Sequence, residues 1–307
     1  MNATKTTVAQ LQMRGGMAYV IQLQDGRFIV IDGGEAATER RYQMNKKVLY
    51  TYLKARSGGD KIHIACWMIS HFHSDHVDVA TRFIKELKNE LIIERFLYNL
   101  APTVKHFTAD MQEEEISREA AWLEAIDLYP CAERLTLRKG ESLTLSNARI
   151  DVLTTAEDPY PKNPTNPNFI SSVWKIVFDG GKSFMVLGDA MTERLTALVD
   201  RTTSVYCDEK TLKSDVMQTA HHGLCVGGEE EYEAITRLYK AIAPSVVFWS
   251  QNEHRFFADP WCRDPKHTYH KFLFDTAGKK NFNQAYTTIV DMSDLSITFE
   301  KTFDEAD

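Results

Sequence analysis

His71-Phe72-His73-Ser74-Asp75-His76 is the stretch on which the reading of this chain turns. Imidazoles at 71, 73 and 76 and a carboxylate at 75 give the order H-x-H-x-D-H. With only 10 histidines in 307 residues, a chance match is on the order of one in a thousand, so the pattern asks for a chemical cause. Imidazole and carboxylate together suit zinc, iron or manganese. The run directly follows residues 62–69, a nearly continuous apolar stretch of the kind a buried strand shows. Side chains spaced along a loop just past a strand end can turn towards different ions. The bland alternative makes them surface residues or helix caps, as most single histidines are. Three at this spacing argue against it.

Outward from this run, helices and strands alternate. Residues 18–23 and 28–31 are apolar stretches joined through Asp25-Gly26, a pair suited to a tight hairpin. Residues 36–56 have helical spacing, with Met44, Val48, Leu49, Tyr52 and Leu53 sharing a face, and Ser57-Gly58-Gly59 ends them. Past the histidines, Val77, Ala80, Phe83, Ile84 and Leu87 mark a second amphipathic helix. A strand is expected over 91–100 and a helix over 112–128, patterned on Ile116, Ala120 and Leu123. Short strands follow near 135–137, 143–145 and 150–153. Four prolines make 158–168 a loop. A second hairpin, 173–178 with 183–187, turns at Asp179-Gly180-Gly181. A helix, a strand at 216–220, a helix at 232–242, a strand at 245–249 and a last helix-strand pair complete the chain. Without linker or repeat, one α/β domain over 1–307 is the simplest organisation.

The histidine run resembles that of the metallo-β-lactamase superfamily, and further motifs extend the likeness over nearly the whole chain. An Asp-Gly pair follows an early strand, here Asp32-Gly33. A Gly-Asp pair follows a later one, here Val186-Leu187-Gly188-Asp189. A final histidine follows a further strand, and Ala220-His221-His222-Gly223 matches. The resemblance implies a four-layer αββα sandwich holding two divalent metal ions, zinc or manganese. His71 and His73 would bind one ion; Asp75, His76 and His222 the other, with Asp189 between them. His222 is preferred to His221 because a glycine usually follows the family's last ligand. Asp32 would orient a ligand histidine by hydrogen bonding.

The chain departs from the family at one place. A further histidine usually stands about twenty residues before the bridging aspartate, and here Asn168 occupies that position. With Leu-Gly-Asp and His-His-Gly, this looks like the branch that includes the metallo-β-lactamase domain of DNA-uptake competence proteins and related choline-phosphate esterases. An amide is a poor zinc ligand beside imidazole. Asn168 would contact metal or phosphate, or else cap a turn. The candidate catalytic residues are Asp75, Asn168 and His221, the last either a donor to substrate or a support for His222.

The leading expectation is a two-metal phosphoesterase or phosphodiesterase that uses metal-activated water on a small anionic or phosphate-containing substrate. A hydrolase of a lactone, thioester or lactam, and a non-catalytic metal- or ligand-binding module, stay open as alternatives. Nothing resembles G-x-S-x-G or a phosphate-binding loop. Asn252 and His254, in a polar and aromatic stretch after the 245–249 strand, are weaker candidates for a substrate loop. The formal charge of −7 argues against an extended nucleic-acid footprint, which needs many phosphates neutralised. Five scattered cysteines with no C-x-x-C pair, no leader-like start and no apolar run near 18 residues point to a cytoplasmic chain outside the membrane. Oligomeric state has no sequence signature here.

Overall fold

The structure is a computed structural model and describes residues 4–101, 107–158, 165–223, 229–250 and 280–303. The four-layer αββα arrangement expected from the sequence is the one observed. Strands β1 (Thr7–Gln10), β2 (Ala18–Gln22), β3 (Phe28–Asp32), β4 (Ile62–Met68), β5 (Leu91–Ile93), β6 (Arg95–Leu97) and β7 (Glu133–Leu135) build one sheet with two late strands, β15 (Thr287–Asp291) and β16 (Ile297–Glu300). A second sheet runs from β8 (Ser142–Leu145) through β9 (Ala148–Thr154), β10 (Val173–Phe178), β11 (Ser183–Val186), β12 (Val216–Gln218) and β13 (Val246–Phe248) to β14 (Asn281–Phe282). Helices α1 (Glu39–Arg56), α2 (Ser74–Glu86) and α3 (Ala109–Ile126) belong to the first half. Helices α4 (Thr192–Val199), α5 (Glu209–Leu212) and α6 (Glu229–Ile242) belong to the second.

Strand alternation explains the layering, because neighbouring side chains point to opposite faces. Along β2, Ala18 and Val20 join the cluster that α1, α2 and α3 cover, while Tyr19 and Ile21 pack between the sheets. Along β11, Phe184 and Val186 face the inter-sheet core, while Met185 packs towards α4 and α6. Both faces of the central strands are therefore buried, which is why they read as unbroken apolar runs.

The two halves share a plan. Antiparallel β2 and β3 lead into β4, which runs parallel to β3. Antiparallel β10 and β11 lead into β12, which runs parallel to β11. In each half a carboxylate stands at the end of the second of these strands, Asp32 as the last residue of β3 and Asp189 just past β11. Imidazoles follow the next parallel strand, past β4 and past β12. The two sets meet at one edge of the sandwich.

Several boundaries differ from the sequence reading. The strand expected over 91–100 is two short strands, β5 and β6, split at Glu94. Helix α3 buries Glu115, Trp122, Ala125 and Ile126, while Ile116 is 54% exposed. Of the stripe Ile116, Ala120 and Leu123 only Leu123 packs against the core, because Trp122 and Ile126 offer the larger apolar surface to α2 and the sheet. β1 was not anticipated; it pairs with β2 and with β15, joining the start of the chain to its end. The expected last helix, with Asn252 and His254, and part of the proline-rich loop lie outside the described residues.

Candidate metal centre

The apolar strand β4 ends at Met68, and the chain then turns through Ser70 into α2, whose first turn carries Asp75 and His76. His71 and His76 are buried, and His73 is partly exposed. Two groups of ligand-type atoms gather here, each within 4.8 Å: Asp75, His76, Asp189 and His222, and His71, His73 and Asp189. Asp189 belongs to both. The structure thus brings together all six side chains assigned from sequence as ligands.

Asp32 sits beneath them in a left-handed conformation (φ 58°) that non-glycine residues rarely adopt. Its Oδ1 accepts from the Ser70 N–H at 2.8 Å, and its Oδ2 accepts from the Ser70 hydroxyl at 2.9 Å. His76 Nδ1 lies 2.8 Å from the same Oδ2. A proton on Nδ1 donated to Asp32 leaves Nε2 facing Asp75 and Asp189, at 3.8 and 3.2 Å. His222 is oriented in the same way: its Nδ1 donates to the Ser250 carbonyl at 2.8 Å, and its Nε2 lies 2.8 Å from Asp75 and 3.4 Å from Asp189.

His221 and His222 both hold positive φ, at 47° and 56°. Strained backbone of this kind persists where surrounding contacts fix it. Here the His221 N–H donates to the Gly188 carbonyl at 3.0 Å, and the Ala220 N–H donates to the Tyr239 hydroxyl at 3.1 Å. The glycine that follows has a physical cause: at Gly223 (φ 78°) a Cβ would lie 2.6 Å from the Trp249 ring. His222 faces the acids, whereas His221 faces Asn168.

Asn168 is 95% buried and points its amide into the site. Its Oδ1 lies 3.0 Å from His71 Nε2, and its Nδ2 lies 3.1 Å from His221 Nε2. The turn-capping role weighed for it falls to Asn166, whose Oδ1 accepts from the Asn168 N–H at 2.9 Å.

Charge is tightly coupled in this cluster. Burial opposes ionisation of His76, but Asp189, Asp75 and Asp32 outweigh it and hold the imidazole well above its usual value. His222 is raised to about 10, with burial again overcome by Asp189 and Asp75. Asp189 and Asp75 are held below the carboxylate range, the cost of burial being exceeded by His76 and His222. On the other side, burial lowers His71, His73 (to about 4) and His221. The acids are thus balanced by the His76 and His222 imidazoles, while His71 and His73 favour the neutral form. Asp189 Oδ1 and His76 Nε2 are buried and make no hydrogen bond. They form an ion pair with each other at 3.2 Å and have no other partner of hydrogen-bond geometry, which fits a donor set for divalent metal.

Two buried side chains that support this site were missed in the sequence. Ser70 links Asp32 to His71 and His76. Gln218, inside β12, accepts from the Leu187 and Gly188 N–H groups at 2.8 Å each and so fixes the turn that carries Asp189. The available signal was a polar residue closing or interrupting an apolar strand.

No family model matches the chain, and no curated protein does. Among solved structures it is similar to the metallo-β-lactamase fold protein YhfI from Bacillus subtilis, at 12% identity and a TM-score of 0.48, covering 91% of this chain and 96% of that one. It is also similar to unliganded yeast PDE1, at 12% identity and a TM-score of 0.47, over 91% and 96%. A third is a putative metal-dependent hydrolase from Parabacteroides distasonis, at 12% identity and a TM-score of 0.46, over 92% and 96%.

Proposed function

We propose that this chain is a two-metal phosphoesterase acting on a phosphodiester or nucleotide-like compound. The supporting observation is the Asn168 amide lying between His71 and His221, beside the His71, His73 and Asp189 group. In this reading His71, His73 and Asp189 hold one ion, with Asn168 beside it, and Asp75, His76, His222 and Asp189 hold the other. Zinc and manganese both suit these donors. When bound, the ions supply a water of lowered pKa and positive charge for the oxygens of a transferring phosphoryl group.

The chain's own residues do the rest. Asp32 and the Ser250 carbonyl each take the Nδ1 proton of a ligand imidazole and so fix which nitrogen faces the centre. The Asn168 amide and the His221 ring place neutral polar groups beside His71, where they would orient a non-bridging oxygen without cancelling the centre's positive charge. His221, lowered by burial, stays neutral near pH 7 and is assigned to the leaving-group side. Asp75 is assigned both to metal binding and to holding the attacking water. The finer likeness to the competence-protein and choline-phosphate esterase branch belongs to this proposal, as does the view of residues 1–307 as one domain.

Purified protein loaded with zinc or manganese is expected to cleave bis-p-nitrophenyl phosphate, and Asp189→Ala to abolish cleavage. Absence of turnover with any divalent metal, alongside cleavage of a lactone or thioester, would replace this reading with acyl hydrolysis.

A further inference from the structure

Away from the metal centre, a cavity of 660 Å³ opens between the end of α4, helix α5 and the last turns of α6. It lies at the opposite end of the parallel strands. Lys213 precedes β12 and Ala243 precedes β13, whereas His222 and Ser250 follow them. The rim carries Arg201, Lys210, Lys213, Arg237 and Lys240 against a single carboxylate, Glu209. In a chain with 36 basic and 43 acidic residues, that local balance is inverted.

Among the described residues, no carboxylate forms an ion pair with Arg201, Lys210, Lys213 or Arg237. Asp200 and Asp208, beside them in sequence, feel the charge of Arg237 and Lys210 but direct their hydrogen bonds elsewhere. Asp200 accepts from the Thr202 N–H and hydroxyl at 2.9 and 2.8 Å, and Asp208 caps α5 by accepting from the Thr211 N–H at 2.7 Å. Like charges gathered around one concavity raise its potential and attract anions. The floor differs from the rim. Val199, Leu212 and Ala241 are apolar, and the Tyr206 ring stands beside them with the Arg201 guanidinium carbon 5.9 Å from its centroid.

We propose that this cavity is a second ligand site, distinct from the metal centre, for a nucleoside diphosphate or triphosphate. The base would lie on the apolar floor beside Tyr206, and the phosphates among the rim cations. Inorganic phosphate would use the rim but leave the floor in water, and an uncharged aromatic would do the reverse. The volume is within the range of small-molecule sites, about 300–1,000 Å³.

The test is isothermal titration of the full chain, stripped of metal with EDTA, using ADP at fixed ionic strength. One equivalent is expected to bind saturably, while adenosine and pyrophosphate each bind about tenfold more weakly or worse, a loss of about 1.4 kcal/mol. Lys210→Glu with Lys213→Glu should remove binding, as should Arg237→Glu, without lowering the melting temperature. Asp189→Ala should leave it intact. Three results at the cavity itself would overturn the proposal, and a fourth at the metal centre would do so too. The three are no saturable binding, binding that survives both rim variants, or binding matched by sulfate at the same ionic strength. Loss of binding in Asp189→Ala alone would move the nucleotide to the metal centre.

Discussion

Asp189 Oδ1 and His76 Nε2 face each other 3.2 Å apart as a buried ion pair, and neither reaches hydrogen-bond geometry with any other group. Two buried ligand-type atoms held this close, with no further partner, fit a site that would accept a divalent cation between them. Asp32 acts on that site only through His76 and Ser70. Asp32→Ala is therefore expected to weaken zinc binding about 10- to 100-fold, read by competition with a chromophoric chelator. An unchanged affinity would show that His76 needs no such support. At Asn168 the expectation is opposite. Asn168→His puts imidazole beside His71 and should tighten the first ion's retention during dialysis, followed by metal analysis. Asn168→Ala should lower turnover more than metal content, because the amide's assigned part is to orient substrate.

The elements explain why these residues meet. Both halves carry an acid past one strand and imidazoles past the next parallel strand, so the cluster is a property of topology rather than of any one loop. The first histidine run was legible because strand, turn and ligands are contiguous in sequence. Ser70 and Gln218 were not, because their part is to hold backbone and rings brought together only by folding. The buried face of α3 was not legible for a related reason: it includes a carboxylate. Glu115 is fully buried on that helix, and burial, aided by Glu119 and opposed by Arg118, pushes its carboxyl up from 4.5 to about 8. Between those values the folded chain keeps a proton that the unfolded chain has released, so stability falls as pH rises. Glu115→Gln should melt higher than the parent at pH 8, with the gap closing towards pH 4.5. A gap independent of pH would contradict this. Gly223→Ala meets both positive φ and the Trp249 ring; a loss of about 1–3 kcal/mol is expected in urea unfolding.

At the scale of the molecule, the site joins distant parts of the chain. Asp32, the 71–76 run, Asn168, Asp189 and His222 come from both sheets, and β1 with β15 ties the chain's start to its end. Ions that bind only this folded arrangement stabilise all of it, by about 2.7 kcal/mol when free metal is a hundred times its dissociation constant. Zinc should raise the melting temperature, EDTA should reverse the gain, and Asp189→Ala should remove the response. No helix of the described residues is long and apolar enough to cross a membrane. The layer order was legible from alternating apolar runs and paired turns; β1 was not, and one final strand was expected where the structure has three, β14 to β16, since short strands take their stability from partners far away in sequence.

Anomalous diffraction from crystals of the zinc- or manganese-loaded chain tests the account most directly. Two peaks about 3.5–4 Å apart are predicted, one against His71 and His73, the other against Asp75, His76 and His222, with a carboxylate oxygen of Asp189 on each. A single peak, or two that Asp189 does not join, would contradict it.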